Sequence, residues 1–378
     1  MKTAIVYDRV NKWGGAERVL LALHEMFPDA PLFTSVYSPE KATWAASFSE
    51  VTTSFLNKIK YLRTRNQLIP YLMPIAFETF DFTGYDLVIS VTSEAAKGVI
   101  TKPPTLHICY CLTPTRYLWS HYNSYFKGPS LQVTKPVVSY LRYWDKIAAQ
   151  RPDVMVGIST EVQNRIKKYY ERESELIYPP VDVNTIKNQI SNIKNTNQKL
   201  KMNSAYDRKN YYLIVSRLVP YKRVDLAVEA FNELRLPLII VGIGSEEKRL
   251  KSQAKENIRF FGLVGDEDLV GYYINAKALI FPQAEDFGMV AVEAQAMGCP
   301  VIAYKKGGAL DTVIEGKTGT FFSMQTKESL IKALKYYDDS NQRSEMSQEC
   351  VKNAQRFSKE RFKKEFENLV EKNMSSHL

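Results

Sequence analysis

The chain contains 378 residues, of which 45% are hydrophobic and 24% charged, and its formal net charge is +10. This length predicts two domains of similar size, and the longest apolar run, residues 236–242, is far too short to cross a membrane as a helix. The excess of Lys and Arg favours anionic partners, namely nucleotides, nucleic acid or anionic lipid.

The N-terminus and the cysteines indicate the cellular compartment. Residues 3–7 have the pattern of a short strand, so we expect no signal peptide. The four cysteines lack disulfide-type spacing, and Cys109 and Cys111 lie in an apolar strand without further metal ligands nearby in sequence. We therefore expect a cytoplasmic protein with neither disulfides nor a bound metal.

The first half of the chain alternates short apolar runs with amphipathic stretches. Strands are predicted at residues 3–7, 32–36, 86–91, 106–111 and 153–158, and a helix at 16–26. Apolar strands separated by helices are typical of a parallel sheet covered on both faces.

A glycine pair lies at the start of the first predicted helix. Gly14 and Gly15 follow a strand and precede the run Ala16-Glu17-Arg18. Two glycines at a helix N-terminus can form an anion site, and the alternative is a plain tight turn.

A basic segment follows in the same half. No acidic residue occurs between Glu50 and Glu78, and four cations lie there among apolar side chains. These cations are Lys58, Lys60, Arg63 and Arg65. The segment is either a solvated helix with a basic face or a surface for an anionic membrane.

The second half repeats the alternation after a polar segment. Strands are predicted at residues 211–215, 238–241, 258–261, 278–281, 301–303 and 319–322. We predict an α/β fold with two Rossmann-like domains. The boundaries are 1–185 for the first domain, 186–210 for a polar linker or insertion, 211–356 for the second domain and 357–378 for a C-terminal helix.

Two glutamates flank a glycine that opens a helix of the second domain. Gly288 follows a strand, so the amides of Met289 and Val290 point toward the carboxyl edge of the sheet, where a phosphate can bind. Glu293, one turn into the helix, can accept hydrogen bonds from two neighbouring hydroxyls. Glu285 lies on the other side of the glycine. A phosphate between two hydroxyl-binding carboxylates fits a nucleotide sugar, and an ordinary surface loop is the alternative.

Two cations precede another helix at the same predicted edge. Arg217 and Lys222 follow the strand at 211–215, where they can neutralise a diphosphate leaving group.

Residues 241–247 resemble a dinucleotide fingerprint but carry Glu247 where the third glycine belongs, so we predict no NAD site. Residues 266–268 offer carboxylates, which we interpret as a helix cap instead of a metal site.

Together these segments resemble the family 4, or group 1, retaining glycosyltransferases. The resemblance rests on Gly14-Gly15, on Arg217 with Lys222, on the pair Glu285 and Glu293, on residues 306–308 and on the final helix. It implies a GT-B fold, with the two domains facing across a cleft and the last helix crossing back to the first domain.

The resemblance also implies roles for individual residues. Arg217 and Lys222 would contact the donor diphosphate, Glu285 the donor sugar and Glu293 the ribose. Gly15 would approach the phosphate from the first domain. No cofactor and no metal are implied, and with both glutamates assigned to hydroxyls there is no evident nucleophile.

Residues 106–119 most resemble bacterial O-antigen and exopolysaccharide mannosyltransferases. This implies GDP-mannose as the favoured donor, a lipid-linked glycan acceptor and attachment to the inner face of the plasma membrane. Arg116 and Tyr117 would lie on the acceptor side. Relatives usually carry His before the Thr-Pro pair, where this chain has Leu112. His107 is expected to be a core or cleft-wall residue and not a replacement.

Three alternatives remain open at this point. A sugar-nucleotide epimerase or phosphorylase could use the same fold, although no cofactor lysine can be placed for a phosphorylase. A degenerate family member could bind nucleotide without turnover, because Leu112 replaces the family histidine. The net charge would suit a nucleic-acid-binding protein, but no recognition motif supports one and we expect no such partner.

Overall fold

The computed structural model describes residues 1–65, 70–120, 122, 130–186, 210–339 and 343–377. They form two compact units. The first contains Met1–Pro180 with Phe362–Leu378, and the second contains Val181–Arg361. Each unit is built around a parallel β-sheet.

The sheet of the first unit has the strand order β3-β2-β1-β4-β5-β6-β7, and every pairing is parallel. Its strands are β1 Thr3–Tyr7, β2 Leu32–Thr34, β3 Val51–Thr53, β4 Leu87–Thr92, β5 Leu106–Cys111, β6 Val154–Gly157 and β7 Glu175–Leu176. The residues of β1, β4 and β5 are buried throughout, as expected of strands covered on both faces. The strand order reverses between β1 and β4.

Helices surround this first sheet. They are α1 Gly15–Met26, α2 Lys60–Arg65, α3 Met73–Glu78, α4 Ser130–Ala148 and α5 Thr160–Tyr170. Helix α1 buries Val19, Leu20 and Leu23, which gives it one apolar face toward the sheet.

The sheet of the second unit has the order β10-β9-β8-β11-β12-β13, again with parallel pairings only. Its strands are β8 Tyr211–Val215, β9 Leu238–Val241, β10 Ile258–Gly262, β11 Ala276–Phe281, β12 Val301–Tyr304 and β13 Gly319–Phe322. Here the order reverses between β8 and β11. Ligands of open α/β sheets bind at the carboxyl edge beside such a reversal.

In the described part of the second unit, five helices lie between its strands in the chain, and two more follow the last strand. They are α6 Val224–Leu234, α7 Glu247–Gln253, α8 Asp266–Asn275, α9 Met289–Ala296, α10 Ala309–Thr312, α11 Lys327–Asp339 and α12 Arg343–Ala354. The last helix, α13, is Lys359–His377. Ser358 caps it, because its Oγ accepts a hydrogen bond from the Arg361 N–H at 3.2 Å. Phe362 and Phe366 of α13 pack against Tyr110 of the first sheet.

The observed elements differ from the predicted ones mainly at their ends. Helix α6 begins only after Arg223, because Arg223 adopts a left-handed conformation with φ of 52°. Strands β3 and β7 were not predicted, because β7 has only two residues and β3 is half-buried with a single apolar residue, Val51. The boundary between the units falls after Pro180, since Val181 donates to the Phe357 carbonyl and pairs with Ser358.

Most of the predicted polar linker, residues 187–209, lies outside the described residues. Within the described part of the chain, no helix has both the length and the apolar character needed to cross a membrane.

Candidate active site

The loops that follow β8 and β11 carry the predicted site residues of the second unit. Arg217 and Lys222 lie in the loop after β8, where residues 220–222 form a 3-10 turn, and Glu285 and Gly288 lie in the loop after β11. These two strands are neighbours at the point where the strand order reverses. These residues therefore lie in loops at the same edge of the second sheet.

Lys222 and Glu285 form an ion pair between the Nζ and Oε1 atoms. Their side chains are only 12% and 17% exposed, so water screens the pair less than it screens an ion pair on the surface. The Lys222 ammonium also lies 5.3 Å from the centre of the Tyr221 ring. Sequence analysis placed both residues in one site but did not predict their contact.

Arg217 is the exposed cation of the same loop. Its Nη2 donates a hydrogen bond to the Tyr221 hydroxyl at 2.8 Å, and both side chains are exposed. Within the part of the chain that the structure describes, the Tyr221 hydroxyl is the one partner of the guanidinium, and the neighbouring Leu218 is fully buried and anchors the loop. The loop therefore exposes the Arg217 guanidinium to solvent, while buried Leu218 holds the loop backbone in place.

Helix α9 begins directly after Gly288, as predicted from the sequence. Gly288 has φ of +90°, a left-handed conformation, and a Cβ there would lie 2.8 Å from Cζ of Phe281. Met289 and Val290 are the first two helical residues, so their N–H groups have no acceptor within the helix. Glu293 follows one turn later and is 9% exposed.

A buried amide network anchors the back of α9, and sequence analysis missed it. Gln295 Nε2 donates to the carbonyls of Ala291 at 3.1 Å and Thr312 at 2.8 Å. Asn353 of α12 donates from Nδ2 to Gln295 Oε1 at 2.7 Å. Because all these groups are buried and paired, they fix α9 relative to its neighbours.

The glycine pair of the first unit has a different environment. Gly14 is extended, with φ of −178°, and α1 starts at Gly15. A Cβ on Gly14 would lie 3.1 Å from Oε2 of Glu17, a close contact that a shift of this side chain by a few tenths of an ångström would relieve. Glu17 is 1% exposed and its Oε1 accepts the Tyr7 hydroxyl at 2.8 Å. Burial and this carboxylate raise the pKa of Tyr7 well above its ordinary value.

A second polar cluster lies at the carboxyl edge of the first sheet, where β1, β4 and β5 end. The Arg9 guanidinium pairs with the carboxylate of Glu94, and the Tyr117 hydroxyl donates to Glu94 Oε1 at 2.7 Å. Burial, and then Glu94, raise the pKa of Tyr117 well above its ordinary value. Arg116, next to Tyr117, is half-buried. Tyr117 was predicted as a site residue, whereas Arg9 and Glu94 were not.

Asp145 organises the interior behind this cluster. The Lys97 ammonium lies 2.6 Å from Asp145 Oδ1, and both side chains are 1% exposed. Asp145 also accepts hydrogen bonds from Thr115, Trp119 and Tyr170 at 2.7–3.0 Å. Burial opposes the charge of Lys97, but Asp145 outweighs it and raises the pKa of the ammonium.

His107 is a core residue, as expected. It is fully buried on β5, and its Nε2 lies 2.8 Å from the Ser90 Oγ. Burial lowers its pKa to about 3. It cannot replace the histidine of the relatives, whose position is taken by Leu112, a half-buried residue just after β5.

The basic segment is partly described. Lys58 and Lys60 are exposed, and Arg63 is half-buried with its Nε donating to the Asn57 carbonyl at 2.9 Å. The Arg65 side chain lies outside the described atoms. Three apolar side chains beside these cations are 41–55% exposed, namely Phe55, Ile59 and Tyr61.

No group of three or more His, Cys, Asp or Glu side chains that could hold a metal ion occurs among the described residues.

Solved structures share this fold over nearly the whole chain. A protein of Anabaena crystallised with UDP aligns with a TM-score of 0.70 at 19% identity and covers 98% of this chain and 100% of its own. Sucrose-phosphate synthase of Thermosynechococcus elongatus aligns with a TM-score of 0.73 at 16% identity, over 100% of both chains. The two parallel-sheet units are those of the GT-B class of glycosyltransferase folds, and the predicted fold class is confirmed.

Residues 195–357, which include all strands of the second unit, match the family model described as glycosyl transferases group 1. A relative in Mycolicibacterium smegmatis, a GDP-mannose-dependent alpha-(1-6)-phosphatidylinositol monomannoside mannosyltransferase, is 28% identical over 44% of this chain and 48% of its own. A D-inositol 3-phosphate glycosyltransferase of Corynebacterium urealyticum is 37% identical over 38% and 36%. The chain spans about half the length, or less, of the curated relatives it matches.

Proposed function

We propose that the protein transfers a sugar from a nucleotide sugar to an acceptor hydroxyl with retention of anomeric configuration. The observation that carries the proposal is the convergence of Arg217, Lys222, Glu285 and the start of α9 on one sheet edge, within a group 1 glycosyl transferase domain. This edge offers cations, helix-end amides and hydroxyl-binding carboxylates together.

The proposed donor site uses each group for a different part of the ligand. Arg217 and Lys222 stabilise the diphosphate as it leaves, since negative charge on it is greatest in the transition state. The amides of Met289 and Val290 bind a phosphate oxygen at the end of α9. Glu285 accepts hydrogen bonds from the donor sugar and Glu293 from the ribose. Gly14 and Gly15 of the first unit stay predicted donor-binding residues.

The proposed step needs no enzyme nucleophile. The acceptor oxygen attacks the anomeric carbon from the face that the leaving group occupies, and the leaving phosphate takes the acceptor proton. The bond between the anomeric carbon and the phosphate oxygen breaks as the new glycosidic bond forms. Arg217 and Lys222 supply positive charge at the leaving group, so we propose that transfer is independent of divalent ions.

Mannose, carried as GDP-mannose, is the favoured donor sugar. Curated relatives with this donor in their names support the choice at modest identity. The acceptor that we propose is a lipid-linked glycan used in cell-surface polysaccharide synthesis. Tyr117 and Arg116 lie at the carboxyl edge of the first sheet, which we propose as the acceptor side.

Peripheral attachment to the inner face of the plasma membrane is the second part of the proposal. Lys58 and Lys60 are exposed beside the apolar side chains of Phe55, Ile59 and Tyr61. Each cation near an anionic bilayer contributes about 1 kcal/mol, so Lys58, Lys60, Arg63 and Arg65 together would give a reversible, salt-sensitive attachment.

A donor screen tests the proposal. Thermal shift with UDP-, GDP- and dTDP-sugars should show stabilisation by GDP-mannose, and the same donor should support transfer to a lipid-linked acceptor in the presence of EDTA. Binding without transfer would favour a degenerate nucleotide-sugar-binding protein. Conversion of the donor without acceptor would indicate an epimerase, and restoration of EDTA-inhibited transfer by magnesium would contradict the metal-independent step.

A further inference from the structure

Residues 306–308, in the loop after β12, lie against the backbone of the Glu285 loop. Gly307 and Glu285 form an isolated parallel β-bridge. The Gly308 N–H donates a hydrogen bond to the Glu285 carbonyl at 2.8 Å. The loop after β12 is thereby fixed to the loop after β11 at the residue that carries the proposed sugar-binding carboxylate.

Both glycines are required by this contact. A Cβ on Gly307 would lie 2.3 Å from the Glu285 carbonyl oxygen, and a Cβ on Gly308 would lie 2.3 Å from Cα and the carbonyl oxygen of Phe287. These atoms belong to backbone and cannot rotate away as a side chain would. Gly307 also has φ of +69°, whereas Gly308 has an ordinary φ of −63°, so at Gly308 the close approach is the sole reason for glycine.

The Glu285 carboxylate is held on its other side by Lys222. The backbone contact with residues 307–308 and the ion pair with Lys222 therefore fix one residue between two loops. We propose that Gly307 and Gly308 are positioning residues of the active site, which set the Glu285 carboxylate against the Lys222 ammonium. The catalytic consequence rests on the proposed function, in which these two side chains bind the donor.

Such positioning matters because the two side chains would act on opposite parts of the donor. Lys222 would turn from Glu285 to the diphosphate, and Glu285 would accept from the sugar hydroxyls. A displacement of about 1 Å in a reacting geometry can cost on the order of 100-fold in rate. An added methyl group at residue 307 forces a displacement of that order on the Glu285 backbone, and one at residue 308 forces it on the Phe287 backbone, two residues further along the same loop.

Two glycines of the same unit provide matched controls. Gly316 has φ of +73°, close to that of Gly307, and Gly265 has no left-handed φ, like Gly308; a Cβ on either would meet nothing within 4 Å. Gly307→Ala and Gly308→Ala should lower donor affinity or turnover about 10- to 100-fold. Gly316→Ala, which carries the same backbone penalty as Gly307→Ala, and Gly265→Ala should change either value by about twofold or less. Equal effects of the four substitutions would overturn the inference.

A double-mutant cycle on thermal unfolding separates this inference from the proposed function. Lys222→Met should lower the melting temperature of the parent but have little further effect in Gly308→Ala, because there the carboxylate is already displaced. The same cycle with Gly307→Ala applies if Gly308→Ala does not fold. Additive shifts in melting temperature would overturn the positioning role. Failure of the parent to bind any nucleotide sugar would instead overturn the proposed function and leave the cycle interpretable.

Discussion

At the scale of single residues, burial decides which titratable groups can take part in chemistry. His107 and Asp145 are buried and bonded inside the first unit, so they serve the fold. Glu293 is also nearly buried, but it lies one turn into a helix that begins at a sheet edge where ligands of this fold class bind. This position, and not burial, is the reason for proposing Glu293 as a binding carboxylate.

Glu293→Ala should weaken binding of the nucleotide sugar. The substitution removes the acceptor for the ribose hydroxyls, and an unpaired buried polar group costs about 1–3 kcal/mol. Calorimetric titration with GDP-mannose measures the change. Glu293→Gln keeps one acceptor oxygen and should give an intermediate affinity. A donor affinity unchanged in both variants would remove the ribose assignment.

His107 should make stability fall as the solution is acidified. Its pKa is about 3 in the folded protein and near 6.5 when unfolded, so between these values the unfolded chain binds the proton and the folded chain does not. Acidification from pH 6.5 to 4.5 should cost about 2 kcal/mol of unfolding free energy from this residue. Urea unfolding of the parent and of His107→Gln at several pH values gives the unfolding free energy of each as a function of pH. The unfolding free energy of the variant should depend less on pH. Equal pH dependence in the two proteins would contradict the assignment of this effect to His107.

At the scale of elements, loops between strands and helices carry the site, and helices hold the loops in place. The loop after β8 is anchored by buried Leu218 and exposes Arg217, and the loop after β11 ends where Gly288 starts α9. The network of Gln295 and Asn353 then fixes α9 from behind. The sequence predicted these loops, because glycines and cations after apolar strands are local signals. It did not predict the buried residues that hold the loops in place.

Arg217→Ala should lower turnover more than stability. Its guanidinium is exposed and, among the described residues, donates a hydrogen bond only to the Tyr221 hydroxyl, so the melting temperature should change little. Loss of one stabiliser of the leaving group typically costs on the order of 100-fold or more in turnover. Tyr221→Phe is the matched control, because it breaks the same hydrogen bond and keeps the cation. Near-parental turnover of Arg217→Ala at saturating donor would exclude the diphosphate role.

At the scale of the whole molecule, two units of one architecture divide the proposed work. The second unit carries the proposed donor-binding groups at its sheet reversal, and the first carries the Arg9–Glu94–Tyr117 cluster and the basic segment at residues 58–65. The net charge of +10 is therefore relevant to a proposed membrane surface as well as to a nucleotide.

Replacement of Lys58, Lys60, Arg63 and Arg65 by Ser should abolish binding to anionic vesicles at low salt and leave donor binding unchanged. Four lost cations correspond to about 4 kcal/mol of surface attraction. Vesicle co-sedimentation measures the binding. The matched control replaces Lys41, Lys102, Lys135 and Lys168, which are exposed in the same unit, and so makes the same change in charge. Equal retention of both variants on vesicles would identify residues 58–65 as an ordinary solvated segment.

The sequence by itself determined the class of fold, the approximate place of most strands and the glycine at which α9 begins. Apolar runs, helix periodicity and glycine conformation are properties of short stretches, so they survive without tertiary information. The family resemblance supplied the roles of Arg217, Lys222, Glu285 and Glu293, and these remain proposals. The membrane surface also remains a prediction.

Only the tertiary structure decided which distant residues meet. The pairing of Lys222 with Glu285, the cluster of Arg9, Glu94 and Tyr117, and the contact of Gly308 with Glu285 each join different loops. Such contacts depend on which strands are neighbours in a parallel sheet and on their register, and sequence periodicity specifies neither. The order of strands at the two reversals is therefore the physical reason why these loops converge.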